Sequence, residues 1–318
     1  MKLWRFGLTL ALCLSLSACG SAPAAGPSSP GGEGGADASR TGAPAGAPGS
    51  GGSRLSLDPD EEPTVVTCRI VDGAEDGDLL LAELGEGLHG GGGVYRLDTE
   101  DVPVTLDGGP AGPSALADGM TVEVAFDGMV METFPARFGE VYGVTAWPIG
   151  RGEAPGGTCY DLCGLYLQVL DDLWNKDPAL NEDISVAGLD LSRAPGGLSE
   201  SEEAALAWRF GETHGVEVVA GTFDELKEQG YFSASSAGTP KPEDGEDSPL
   251  WYQWEDGCLF SITPNEEHAE EICSLPTLFF NAEKWRSPLG AYCFYDCSAV
   301  WPECGTWSGY SIGGEMIS

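Results

Sequence analysis

Gly119-Met-Thr-Val-Glu-Val-Ala-Phe-Asp-Gly128-Met-Val-Met-Glu-Thr133 carries two alternating runs on either side of Asp127-Gly128. Alternation places successive side chains on opposite faces of a strand. Glycine accepts the positive φ of a tight turn, so the stretch predicts a hairpin of strands at 121–126 and 129–133. Working outward, similar short runs predict strands at 65–71, 79–84, 94–98, 102–106 and 141–146. Many short strands, glycine-rich connections and no good helical pattern imply a small all-β unit over 61–149, a closed or nearly closed barrel.

The same stretch, followed by Val130, Glu132, Thr133, Pro135 and Ala136, resembles the closing hairpin of the YobA-type lipoprotein domain, a bacterial family of unknown function. The resemblance implies an OB-like barrel over 61–149 and adds no chemistry, because a fold does not carry an activity with it. The glycine-rich stretches at 85–93 and 108–118 are longer than that domain leads one to expect.

Beyond a Gly/Pro-rich linker at 150–157 the periodicity changes. Leu162, Tyr166, Val169, Leu170 and Leu173 recur at helical spacing, predicting an amphipathic helix over 160–176 that stops before Pro178. Ser199 with Glu202 and Thr222 with Glu225 form two capping boxes, whose helices end near Gly215 and Gly230. Asp256-Gly257 joins runs at 251–254 and 258–262, and later runs at 277–280, 291–295 and 306–312 suggest more strands. Residues 158–318 therefore read as an α+β domain, an antiparallel sheet packed by about three helices. The acidic stretch 238–249 carries proline and no packing pattern.

The N-terminal region determines location. Lys2 and Arg5 precede an apolar stretch from Phe6 to Leu16, and Leu16-Ser-Ala-Cys19 forms a lipobox, so residues 1–18 read as a lipoprotein signal peptide. Resemblance to bacterial lipoproteins implies a diacylglyceryl group on the Cys19 thiol, which holds the mature chain on a membrane. Residues 19–60 then form a Gly/Ala/Pro/Ser tether with nothing to bury. Its residues would span roughly 35 Å root-mean-square, enough to lift a folded body clear of lipid. A stalk of this kind suits the extracytoplasmic face of a cell membrane in a Gram-positive type of envelope.

The 318-residue chain has 51 acidic against 15 basic residues and a formal net charge of −36. Nucleic acid is excluded as a natural partner, since phosphate neutralisation needs a basic face. After Cys13 in the signal and Cys19, eight cysteines remain at 68, 159, 163, 258, 273, 293, 297 and 304, and export makes disulfides the default. Seven fall in the second domain, so Cys68 either pairs across the boundary or leaves two thiols free. Cys293 and Cys297, on one strand, would lie roughly 13 Å apart and could not bond to each other. A zinc site from Cys159, Cys163, Cys293 and Cys297 departs from the usual knuckle spacing.

Other candidate sites are weaker. Gly85-x-Gly87-x-x-Gly90 has no helix to follow it, and Asp72, Asp76, Gly77, Asp78 and Glu83 match a calcium loop only in part, with a hairpin turn the plainer reading. His89, His214 and His268 are the available imidazoles, and none sits in a nucleophile motif. No cofactor, metal or catalytic residue is assigned. The second domain's seven tryptophans include Trp251 and Trp254, which on a strand would face opposite sides and make a candidate platform for a ligand. The chain thus reads as a membrane-anchored, non-catalytic lipoprotein that binds an envelope glycan or protein. The alternative is an extracytoplasmic hydrolase acting on glycan through carboxylates of the C-terminal domain. Metabolic labelling with a fatty acid should mark the protein, and Cys19→Ala should abolish the label. An unlabelled, intact protein in the cytosol would overturn the anchor.

Overall fold

A computed structural model of the chain describes residues 62–85, 92–149, 161–235, 251–268, 277–301, 307 and 309–318. The first sheet is built from β1 (Thr64–Asp72), β2 (Asp78–Glu83), β3 (Val94–Asp98), β4 (Val104–Leu106), β5 (Gly109–Ala111), β6 (Thr121–Phe126), β7 (Val130–Met131), β8 (Ala136–Phe138) and β9 (Val141–Trp147). The alternating runs find their strands, but the pairing differs from the expected hairpin. Spatial order is β5-β4-β9-β6-β1-β2-β3-β8-β7, so β6 lies between β1 and β9 while β7 pairs with β8.

Gly128 does take a positive φ of 82°, and Asp127 Oδ1 accepts the Met129 N–H at 2.9 Å. The turn forms without a hairpin because burial selects the partners of β6. Val122, Val124 and Phe126 are fully buried with Val66 and Ile70 of β1, whereas Met129 and Met131 remain exposed. Between β1 and β2 the turn reading of Asp72 to Glu83 holds, since the two strands pair antiparallel. Asp72 and Asp78 there face Arg209 and Arg96.

The expected barrel is not closed among the described residues, because the sheet's end strands β5 and β7 do not pair. One face nevertheless curls over its own core: Ile70, Leu79, Leu81, Phe126, Phe138 and Val144 belong to one buried cluster. Cys68 lies at its centre, fully buried, where burial pushes the thiol far above its usual pKa. The other face of the same strands is buried as well.

That second burial involves the C-terminal elements: α1 (Leu162–Asn175), β10 (Val186–Asp190), α2 (Glu200–His214), β11 (Glu217–Ala220), α3 (Phe223–Glu228), β12 (Ser233–Ser235), β13 (Trp251–Gln253), β14 (Gly257–Pro264), β15 (Thr277–Ser287), β16 (Gly290–Val300), β17 (Tyr310–Ser311) and β18 (Gly314–Ile317). Both capping boxes form at Ser199 and Thr222. The main sheet runs β11-β10-β14-β15-β16-β17, with β18 also on β16, and β12 pairs only with β13. It is mixed rather than antiparallel, because β10 runs parallel to both β11 and β14. Asp256-Gly257 is likewise no hairpin: β13 pairs with β12, and β14 lies between β10 and β15.

Side chains of β14 divide the layers. Cys258, Phe260 and Ile262 meet α1 and α2, while Leu259 joins Leu226, Phe232 and Trp254 on the opposite face. Val71, Leu80, Ala82 and Val94 of the first sheet enter the same cluster as Leu165, Leu170, Leu206 and Phe210. The all-β and α+β regions, expected as separate domains, therefore share one core. Leu79-Leu-Leu-Ala82 explains why, since an unbroken apolar run suits a strand buried on both faces.

Two buried charges lock this arrangement. Arg69 of β1, 2% exposed, donates through Nη1 to the Gly119 carbonyl (3.0 Å) and Thr121 Oγ1 (3.2 Å), and its Nε lies 3.5 Å from Glu202 Oε1. The other oxygen of Glu202 accepts the Ser199 N–H at 2.9 Å, so one carboxylate caps α2 and ties it to the first sheet. Lys284 of β15 is fully buried beneath the C-terminus of α1. Its Nζ donates to the carbonyls of Trp174, Lys176 and Asp177 and to Asn181 Oδ1, occupying acceptors that a helix end leaves open. Burial lowers its pKa from the lysine value.

Cys68, Cys163, Cys258, Cys293 and Cys297 carry free thiols and form no disulfide with one another. Cys159, Cys273 and Cys304 lie outside the described residues, as do Cys19 and the stretch 238–249. Cys293 and Cys297 share β16 as expected. Glu202→Ala should destabilise the fold by roughly 3 kcal/mol or more, because it removes a helix cap and leaves Arg69 buried against no carboxylate of that helix. Equilibrium chemical denaturation measures it; a loss below about 1 kcal/mol, the worth of an ordinary cap, would contradict the coupling.

Candidate binding cleft

Between the two sheets, on the outer flank of α2, lies an open cleft of about 620 Å³. Its floor is a face of α2 left over after the core is served. Ala205, Leu206 and Phe210 are buried inward, while Ala204, Ala207, Trp208 and Gly211 stand beside them and line the cleft. One wall is β11 with its approach, contributing Val216, Val218 and Ala220. The opposite wall is Phe134, held on the link between β7 and β8 and 64% exposed.

Gly211 sets the depth. A Cβ there would come within 2.9 Å of the Val216 carbonyl oxygen and 3.0 Å of a Val218 methyl, so glycine lets α2 approach the strand closely. At the rim, the Arg96 guanidinium sits 5.3 Å from the Trp208 ring centre, fixing the indole by cation–π attraction while Asp78 pairs with the same arginine. Phe134 also lines a smaller cavity of about 250 Å³ with Val94, Tyr95, Val130 and Ala136. Met129 and Met131, next in sequence to Val130, are also exposed.

Among the described residues the lining contains one carboxylate, Glu212, and no histidine or cysteine. Its chemistry is that of an apolar receptor with an acidic rim, of a volume usual for ligand sites. The chain finds no match among family models, curated proteins or solved structures.

The sequence-based candidates lie elsewhere. Trp254 falls one residue beyond β13, where strand alternation no longer applies, and is 1% exposed among Leu226, Phe232 and Leu259. It is core, and it cannot stack on an external ligand. Trp251 is half-buried on β13, and its neighbour Tyr252 turns toward the aromatic cluster, its ring under Lys227. The two tryptophans thus form no platform together.

His214 closes α2, bonded to Asp171 at 2.9 Å and stacked on Trp174. His268 stacks on Phe279, with Nε2 2.6 Å from Asp296 Oδ1, which also accepts from Asn265. His89 is outside the described residues. The thiols are poor nucleophiles: burial pushes Cys258 and Cys297 up to about 12 and Cys293 to about 11. Among the described residues no group of three or more His, Cys, Asp or Glu is arranged to hold a metal ion.

A set of acids is held above the ordinary carboxylate range chiefly by burial: Asp118, Asp161, Glu203 and Glu283. The nearby Asp118 charge raises Asp161 further, and a hydrogen bond from the Gly164 N–H and the Arg69 charge offset part of that rise. An acid whose folded pKa is raised costs stability once ionised and returns it as pH falls through that pKa toward the unfolded value. The midpoint of thermal unfolding should therefore rise as pH is lowered from neutrality toward the ordinary carboxylate range. A steady fall across that window, measured by scanning calorimetry, would contradict the placement of these carboxyls.

Proposed function

We propose that this protein is a lipid-anchored lipoprotein of the extracytoplasmic membrane face whose folded body is a non-catalytic binding module for an envelope component. The lipobox ending at Cys19 and the tether to residue 60 support the anchor, and the likeness to YobA-type domains at 119–136 agrees with an envelope location. No helix among the described residues is long and apolar enough to cross a membrane. The binding role rests on one observation: Phe134, two-thirds exposed, faces the Trp208 side of a cleft whose other walls are alanine, glycine and valine. An exposed phenylalanine across an apolar trough from a tryptophan makes the kind of surface that marks sites of association.

Glycan hydrolysis needs two opposed carboxyl groups across the scissile bond. Among its described lining residues the cleft offers Glu212 alone, which favours binding over hydrolysis there.

Nile red, a neutral apolar dye, should bind the cleft and brighten. Trp208→Ala and Phe134→Ala should each weaken that binding roughly tenfold, the usual worth of an aromatic anchor. Phe134→Ala should leave stability within about 0.5 kcal/mol, since the ring is largely exposed. Dye binding unchanged in both variants would overturn the cleft as the binding site.

A further inference from the structure

The cleft borders an open sheet edge, and that edge narrows what it can take. Among the described residues β11 ends the main sheet, its partner β10 lying on one side only. Glu217 donates to the Ser185 carbonyl at 3.0 Å and Gly221 to the Leu189 carbonyl at 3.0 Å. In a parallel ladder every second residue spends both its N–H and C=O on the partner strand, so the alternate residues, Val218 and Ala220, direct theirs to the open side. Both also line the cleft with their side chains.

This edge has neither a proline nor a bulge to block pairing. β5, which ends the first sheet, is three residues long and carries Pro110, and β7 at the other end has two residues. β11 has four residues, Glu-Val-Val-Ala, with no proline and no bulge. Unpaired backbone groups beside an apolar trough form a template for another strand.

Resting on the proposed binding role, we infer that the cleft takes an extended polypeptide segment as an added strand on β11, with alternating apolar and basic residues. Backbone pairing to Val218 and Ala220 sets the segment's register. Every second side chain then enters the trough between α2, Val218 and Phe134, and the intervening ones turn to the opposite face. The site is acidic where α2 gives way to β11: Glu212 lies in the lining and Glu217, exposed, opens β11. With a net charge of −36, a second copy of this chain is repelled where a basic segment is attracted.

The test uses the mature, full-length chain and a fluorescein-labelled decapeptide of alternating lysine and valine. Binding should be saturable and weaken with salt. It should fall roughly tenfold or more when alternate peptide nitrogens are methylated, since each lost backbone bond is worth about 0.5–1.5 kcal/mol. Val218→Pro should weaken binding similarly while near-ultraviolet circular dichroism stays native, because the N–H it removes faces the open edge. The methylated peptide tests the same bond without altering the protein.

Equal affinity of plain and methylated peptides would overturn strand addition and leave the apolar cleft standing. Absence of peptide binding in a protein that still answers Nile red through Phe134 would do the same. A dimer in light scattering that Val218→Pro dissolves would assign the edge to a second copy and refute the basic segment. Failure of both dye and peptide would remove the binding role itself.

Discussion

Strands β1 to β3 are buried on both faces, and the rest of the architecture follows from that constraint. One face of these strands closes over Ile70, Leu81 and Phe126, and the other presses Leu80, Ala82 and Val94 against α1 and α2. Each buried leucine contributes about 2 kcal/mol relative to exposure, so separating the sheets would forfeit several such terms at once. The α2 helix is thereby held between two sheets, and its remaining face becomes the floor of a cleft. Function, on this view, occupies the surface left over by packing.

Charge burial sharpens the same joint. An arginine as inaccessible as Arg69 is costly to desolvate, and it is tolerated because Glu202, Gly119 and Thr121 surround it. Glu202 is already required as the N3 partner of Ser199 in the α2 capping box. Joining the two duties in one carboxylate links the start of α2 to β1, which fixes the height of Trp208 relative to the first sheet. Lys284 plays the parallel part at the end of α1, where its ammonium group meets the helix carbonyls. Helix ends and buried charges thus neutralise one another at both joints.

Much of the local structure was legible. Both capping boxes, the amphipathic α1 and most strands stand near where periodicity puts them, because these features depend on neighbours a few residues apart. Pairing was not legible. Asp127-Gly128 turns the chain, whereas Gly257 already belongs to β14, and neither pair obliges its flanking strands to join when each finds a better-buried partner. β10 and β11 escaped notice because parallel strands pair across long separations and their short runs lack alternation. Trp254 was misplaced for a related reason: its burial depends on α3 and on the residues around Phe232, which no local pattern relates to it.

The sequence by itself determined an acidic composition, the helices with their caps, and the places where strands begin, and the proposal of an acylated Cys19 rests on it alone. Those are properties of composition and short-range spacing. Tertiary structure alone decided that two sheets share a core, that Arg69 meets Glu202, and that Phe134 stands across a trough from Trp208 beside an open edge. Residues separated by more than seventy positions came together there because apolar area is buried without regard to distance along the chain.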